Sequence, residues 1–170
     1  AAAATYDEAA VLAKEVSLRM TARLDVVKLA PARVADIGCA TGDGIRALQA
    51  RYPQALPLAI DYAPAMLAEV ARRASWMERL RRRAPRCVAA DVRSLPLSGG
   101  SLGLAWSNLM LHWLDDPLPA FGELQRVLKT GGLLMFSTLG PDTLEELRLA
   151  GATTLRRFHD MHDLGDMLMA

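Results

Sequence analysis

The chain has 170 residues, 52% hydrophobic and 23% charged, enough for one packed domain with a real core. A net charge of +1 excludes a general electrostatic pull toward nucleic acid or membrane. There is no run of about 18 uninterrupted apolar residues, so no transmembrane helix is expected.

The first residues lack a basic stretch ahead of an apolar one, so no secretory signal is expected there. The two cysteines, Cys39 and Cys87, form no C-x-x-C pair, which argues against a disulfide scaffold, and no metal site is expected. Both read as small buried residues near strand ends, in a reducing, cytoplasmic setting.

In chain order, Val11, Leu12, Val16, Met20, Leu24 and Val27 recur at three- and four-residue spacing and predict an amphipathic helical region, ended by Pro31. A first strand is expected over 34–37, then a helix from about Gly42 to Arg51, broken at Tyr52-Pro53. A second strand is expected over 56–60. Pro64 suits the first turn of the next helix, which continues toward Leu80 with an interruption near Ser75. Strands follow over 86–90 and 102–107, then a helix over 118–128 and a turn at Lys129-Thr130-Gly131-Gly132. The last expected elements are a strand over 133–139 and a helix from Thr143 to about Leu155.

Alternating strands and helices predict an α/β fold with a doubly wound, mostly parallel sheet of Rossmann-like type. One domain is expected over 1–170, with a helical region about 5–30, a sheet core about 33–140 and a C-terminal helical part 143–170.

Three apolar runs end on an acid: Asp36 before Gly38-Cys39-Ala40-Thr41-Gly42, Asp61 after Leu58-Ala59-Ile60, and Asp91 after Cys87-Val88-Ala89-Ala90. On adjacent parallel strands these carboxylates would line the sheet edge where open α/β sheets bind ligands. Gly42-Asp43-Gly44-Ile45-Arg46-Ala47 also fits a dinucleotide loop. However, Asp36 and Asp43 would face a pyrophosphate unfavourably. A cationic nucleoside fits better: Asp36 toward an ammonium, Asp61 toward ribose hydroxyls, Asp91 toward an adenine amine. S-adenosylmethionine is such a compound.

The order Asp36-x-Gly38-x-x-x-Gly42, Asp61, Asp91-Val92 and Ser107-Asn108 resembles the class I methyltransferases that bind S-adenosylmethionine. The segments Leu104–Trp113, Glu123–Lys129, Phe136–Leu147 and Phe158–Asp166 resemble, more narrowly, the malonyl-acyl-carrier-protein O-methyltransferases of biotin synthesis. The resemblance implies a cofactor site of Asp36, Gly38, Cys39, Ala40, Gly42, Asp61, Tyr62, Met66, Asp91, Val92, Asn108 and Leu109. It places Tyr6 over the methyl-donor pocket and His112 near the acceptor. It implies methyl transfer from S-adenosylmethionine, leaving S-adenosylhomocysteine. The acceptor would be the free carboxylate of a malonyl group on acyl-carrier protein or coenzyme A.

The chain departs from that family at Ala40, where glycine is usual, so Ala40 must keep a negative φ or tolerate strain. The family fold usually ends with two further strands, and without them strand five would be an exposed apolar edge. The arginines from Arg72 to Arg86 read first as a solvated helix face and second as a dock for an acidic carrier protein. Few aromatics (5%) leave no stacking platform for nucleic acid.

Overall fold

The structure is a computed structural model, and it describes residues 2–154, 156 and 158–169. Among the described residues, five parallel strands form one sheet: β1 (Arg33–Ile37), β2 (Leu56–Asp61), β3 (Arg86–Ala89), β4 (Leu102–Asn108) and β5 (Leu128–Ser137). Their spatial order is β3-β2-β1-β4-β5. The order reverses between β1 and β4, the place where a doubly wound sheet opens a crevice at its carboxyl edge.

The helices are α1 (Ala2–Ala9), α2 (Val11–Arg23), α3 (Asp43–Arg51), α4 (Pro64–Arg73), α5 (Trp76–Leu80), α6 (Leu118–Val127), α7 (Glu145–Leu149) and α8 (Met161–Met169). Because side chains alternate across a strand, each strand feeds both faces of the sheet. Val34, Ala59, Leu104 and Trp106 face one way, toward Met20 and Leu24 of the N-terminal region, Ile45 and Leu48 of α3, and Val70 of α4. Ala35, Ile60 and Ala105 face the other way, toward Phe121, Leu124 and Val127 of α6 and Leu164 of α8. Such near-continuous apolar strands are what a sheet covered on both faces requires.

The expected break near Ser75 is real. Its hydroxyl accepts from the Glu78 amide at 3.2 Å, while the Glu78 carboxylate accepts from the Ser75 amide at 2.7 Å. This reciprocal capping box starts α5.

Three expectations need correction. The turn at Lys129–Gly132 lies inside β5 as an irregularity: Leu128 pairs with Leu102 and Leu133 with Leu104, and Gly131 takes φ +75° to absorb the extra residues. The helix expected from Thr143 to about Leu155 is the single short α7. Leu144 precedes it at φ +64°, and Gly151 at φ +94° follows its end. Leu155 lies outside the described residues. Cys87 is exposed rather than buried, because β3 is the sheet's edge strand; Cys39 is buried. Strand β5 pairs only with β4 among the described residues, and Leu133, Leu134, Met135 and Phe136 on it are half-buried.

Candidate functional site

The carboxyl ends of β1, β2 and β4, the segment after β3 and the helix α1 enclose a cleft of about 460 Å³. Among the residues singled out from the sequence, Tyr6, Gly38, Ala40, Asp61, Tyr62, Met66, Asp91, Val92, Asn108 and Leu109 line it. A second, small cavity of about 30 Å³ lies beside it, lined by Asp36 and Cys39 together with Lys14, Thr41, Asp43 and Gly44. Tyr6, Gly38, Ala40 and Asn108 border both spaces, so the two are adjacent.

The loop after β1 explains this proximity. The amides of Gly38 and Cys39 donate to the Ile60 carbonyl at 2.9 and 3.0 Å, which folds the loop across the end of β2. Gly38 has φ +74°, and a Cβ there would stand 2.3 Å from the Met110 side chain. A Cβ at Gly44 would stand 2.6 Å from the Asp36 carboxylate. Glycine at 38 therefore lets the loop pass against Met110, and glycine at 44 lets the α3 backbone approach the Asp36 carboxylate. Gly42, at φ +95°, caps α3 and lines neither space. Ala40 adopts φ +44°, so of its two permitted outcomes it takes the strained one. Its amide donates to Asp61 Oδ2 at 2.9 Å, a bond that holds it there.

The three acids sit in different electrostatic surroundings. Asp36 is buried, and loss of hydration, reinforced by Asp61 and Asp43, raises its pKa to about 7. Asp61 accepts backbone bonds at both oxygens, from Ala40 and, at 2.8 Å, from Ala63, which fixes its plane and leaves a lone pair on each. Asp91 is clasped by the Arg93 guanidinium, with contacts of 2.6 to 3.1 Å, and this holds its carboxyl below the usual range. Arg93 also lines the cleft. Its place two residues after Asp91 was the available signal, since an Asp side chain readily engages position i+2, here through the Arg93 amide at 2.9 Å.

Tyr6 hangs from α1 over both spaces. Burial, followed by Asp61, raises the pKa of its hydroxyl, so it stays protonated and able to donate. Its neighbour Asp7 fixes α1 to the loop: it accepts from Thr41 Oγ1 at 2.6 Å and pairs with Arg73 at the end of α4. Asn108 Nδ2 donates to the Ala13 carbonyl at 2.8 Å and ties α2 to the end of β4. Asn108 Oδ1 accepts from Ser137 Oγ at 2.8 Å, which links the ends of β4 and β5.

His112 stands outside both linings. Its ring lies 5.3 Å from that of Trp113 and 5.7 Å, edge-on, from that of Phe158. Burial lowers its pKa, with Arg156 adding to the effect. In the Leu111–Trp113 turn it is Trp113 that faces the cleft, together with Leu114 and Met110. The one-residue offset follows from the direction of that turn, which sequence spacing does not reveal.

The buried Asp36 carboxylate, beside two further acids, is a site that a cationic group would satisfy. An S-adenosylmethionine-type ligand, with ammonium and sulfonium at one end and ribose and adenine at the other, fits the residues present: acid in the small cavity, acids and apolar walls along the larger cleft. Among the described residues no helix is long and apolar enough to cross a membrane.

Comparison with known proteins agrees with this geometry. The chain is 52% identical over 176 residues to a malonyl-[acyl-carrier protein] O-methyltransferase of Laribacter hongkongensis (strain HLHK9), covering 99% of this chain and 59% of that protein. It is 51% identical to a protein of the same name from Methylovorus sp. (strain MP688), with the same coverage. The chain thus spans about three-fifths of the length of these curated relatives. Among solved structures, the plantazolicin methyltransferase BpumL superposes with a TM-score of 0.73 at 13% identity, over 98% of this chain and 66% of that one. A family profile described as a methyltransferase domain matches residues 35–136, from the strand that carries Asp36 to the strand beside Asn108. With the fold, the glycine loop and the row of acids inside that span, the chain belongs to the methyltransferase-domain family.

Proposed function

We propose that this protein transfers a methyl group from S-adenosylmethionine to the free carboxylate of a malonyl thioester, carried on acyl-carrier protein, as a step of biotin synthesis. The observation that carries the cofactor half is the buried Asp36 next to a cleft bearing Asp61 and Asp91. The acceptor half rests on the relatives' names, shared at 52% and 51% identity. When bound, the cofactor supplies a methyl on a positively charged sulfur.

The residues take the following parts in this reading. Asp36 receives the ammonium, with Gly38 and Cys39 offering backbone close by. Asp61 receives the ribose hydroxyls. Asp91 and Val92 meet the adenine, between Tyr62 and Met66 on one side and Leu109 on the other. Ala40 and Gly42 shape the loop, and Asn108 anchors the α2 cover. An acceptor carboxylate is ionised at neutral pH, so no general base is needed. This agrees with a Tyr6 hydroxyl that stays protonated and with a His112 that lies outside the cleft lining. The protein's work is alignment and exclusion of water: Tyr6 closes over the donor, while His112 supports the Trp113 wall.

The test is mass spectrometry of malonyl-loaded acyl-carrier protein after incubation with S-adenosylmethionine and the protein. A gain of one methyl on the malonyl group is expected. No gain, with the cofactor demonstrably bound, would remove the acceptor assignment. Methylation of free fatty acids alone would redirect it to another small acid or lipid.

A further inference from the structure

The two spaces at the carboxyl edge are lined by acids, yet each also holds one cation: Arg93 in the larger cleft and Lys14 in the small cavity. Arg93 is committed, since its guanidinium clasps Asp91. Lys14 is not paired in this way. Among the described residues, no carboxylate lies within ion-pair distance of its ammonium. The ammonium donates instead to the Asp7 backbone carbonyl at 2.8 Å. An ammonium carries three donors, so two stay available.

Helix α2 brings more than Lys14 to this wall. Ala10, just before the helix, and Ala13, Lys14 and Ser17 within it recur at three- and four-residue spacing, and all four line the small cavity. Ser17 is buried, and among the described residues its hydroxyl has no hydrogen-bond partner. This wall is held in place: Asn108 bonds the Ala13 carbonyl, and Asp7, which receives the Lys14 ammonium, is itself tied to Thr41 and Arg73. The end of β1 and the start of α3 contribute the opposite chemistry, the buried Asp36 and Asp43. Donors on the helix side and acids on the sheet side make the cavity a receptor for a group that carries both charges.

We infer that Lys14, aided by Ser17, is the receptor for the α-carboxylate at the amino-acid end of the cofactor, so that α2 binds the anion of the zwitterion whose ammonium Asp36 takes. This rests on the cofactor half of the proposed function and fills a place left open there. The charges of the ligand support the match. S-adenosylmethionine carries an ammonium, a sulfonium and a carboxylate. The acids serve the two positive groups. Lys14 is, among the described residues lining these spaces, the one cation without an acidic partner. A ligand carboxylate close to Asp36 and Asp43 with no cation beside it would be repelled. Lys14 has a competing structural duty, since an ammonium on a carbonyl near the end of α1 suits the negative end of that helix. That duty would hold the cover equally for every ligand, whereas a carboxylate receptor separates ligands that have the carboxylate from those that lack it.

The test is calorimetric titration of two ligands, S-adenosylhomocysteine and its decarboxylated analogue, which keeps the adenosine, thioether and ammonium. Each is titrated into the full chain and into Lys14→Met, Lys14→Arg and Ser17→Ala. Wild type should prefer the carboxylated ligand at least about tenfold, the worth of a hydrogen bond to a charged group. Lys14→Met should erase that preference by weakening S-adenosylhomocysteine alone, and Lys14→Arg should restore most of it. Ser17→Ala should weaken the same ligand about fivefold. Equal loss of both ligands in Lys14→Met would show that the lysine only supports the cover, and the proposal would be overturned. A wild type that binds the two ligands equally would overturn it as well. A wild type that binds neither would remove the cofactor reading, and the receptor with it. Failure to methylate malonyl-loaded carrier, with the preference for the carboxylated ligand intact, would refute the acceptor half of the proposed function and leave Lys14 in its role.

Discussion

Asp36 illustrates how one side chain can couple a site to stability. Its pKa rises on folding to about 7 because the carboxylate loses hydration beside Asp61 and Asp43. The folded protein therefore holds this proton more tightly than the unfolded chain does. Stability should fall as pH rises from about 4 to about 7 and level off above that, by up to about 4 kcal/mol. Urea denaturation of the ligand-free protein at pH 5 and pH 8 measures this, and Asp36→Asn should flatten the difference. A slope that survives in the variant would assign it to another group. Ala40 carries the opposite lesson, since its left-handed backbone is a strain that one substitution relieves. Ala40→Gly should stabilise the fold by about 0.5–1 kcal/mol, the relieved strain less the entropy glycine adds to the unfolded chain. Thermal melting decides, and a lower midpoint would mean that Ala40 bears no strain.

At the scale of elements, α1 is held by contacts far from it in sequence. Asp7 reaches Thr41 and Arg73, and Asn108 takes the Ala13 carbonyl at the start of α2. Asp7→Ala should leave the sheet intact while loosening α1 by about 1 kcal/mol, the net worth of such bonds. Hydrogen exchange of the α1 amides should speed several-fold, with exchange in β1 and β4 unaltered. Equal acceleration everywhere would show that Asp7 supports the whole fold instead. Patterns local to the chain made most elements readable: three- and four-residue apolar spacing in the amino-terminal helices, Pro64 opening α4, and apolar runs closed by an acid. The α1 latch was not readable, because Asp7 and Arg73 are brought together only by tertiary packing. The shortened α7 was hidden likewise, since Leu144 has no composition signal for its positive φ.

For the molecule as a whole, doubly wound alternation made the sheet class evident, and with it the edge where Asp36, Asp61 and Asp91 gather. The sequence did not show that these acids divide between two adjacent spaces, nor that Arg93 already occupies Asp91. Both depend on side-chain directions that burial and charge settle only in three dimensions. The exposure of Cys87 had the same origin: β3 is the last strand on its side of the sheet, a fact of strand order rather than of residue type. Tyr6 overhangs both spaces, so a compound filling the two together sits beneath the amino-terminal cover. In the proposed function, the Asp7 contacts with Thr41 and Arg73 that hold this cover would then bear on how long the bound compound stays.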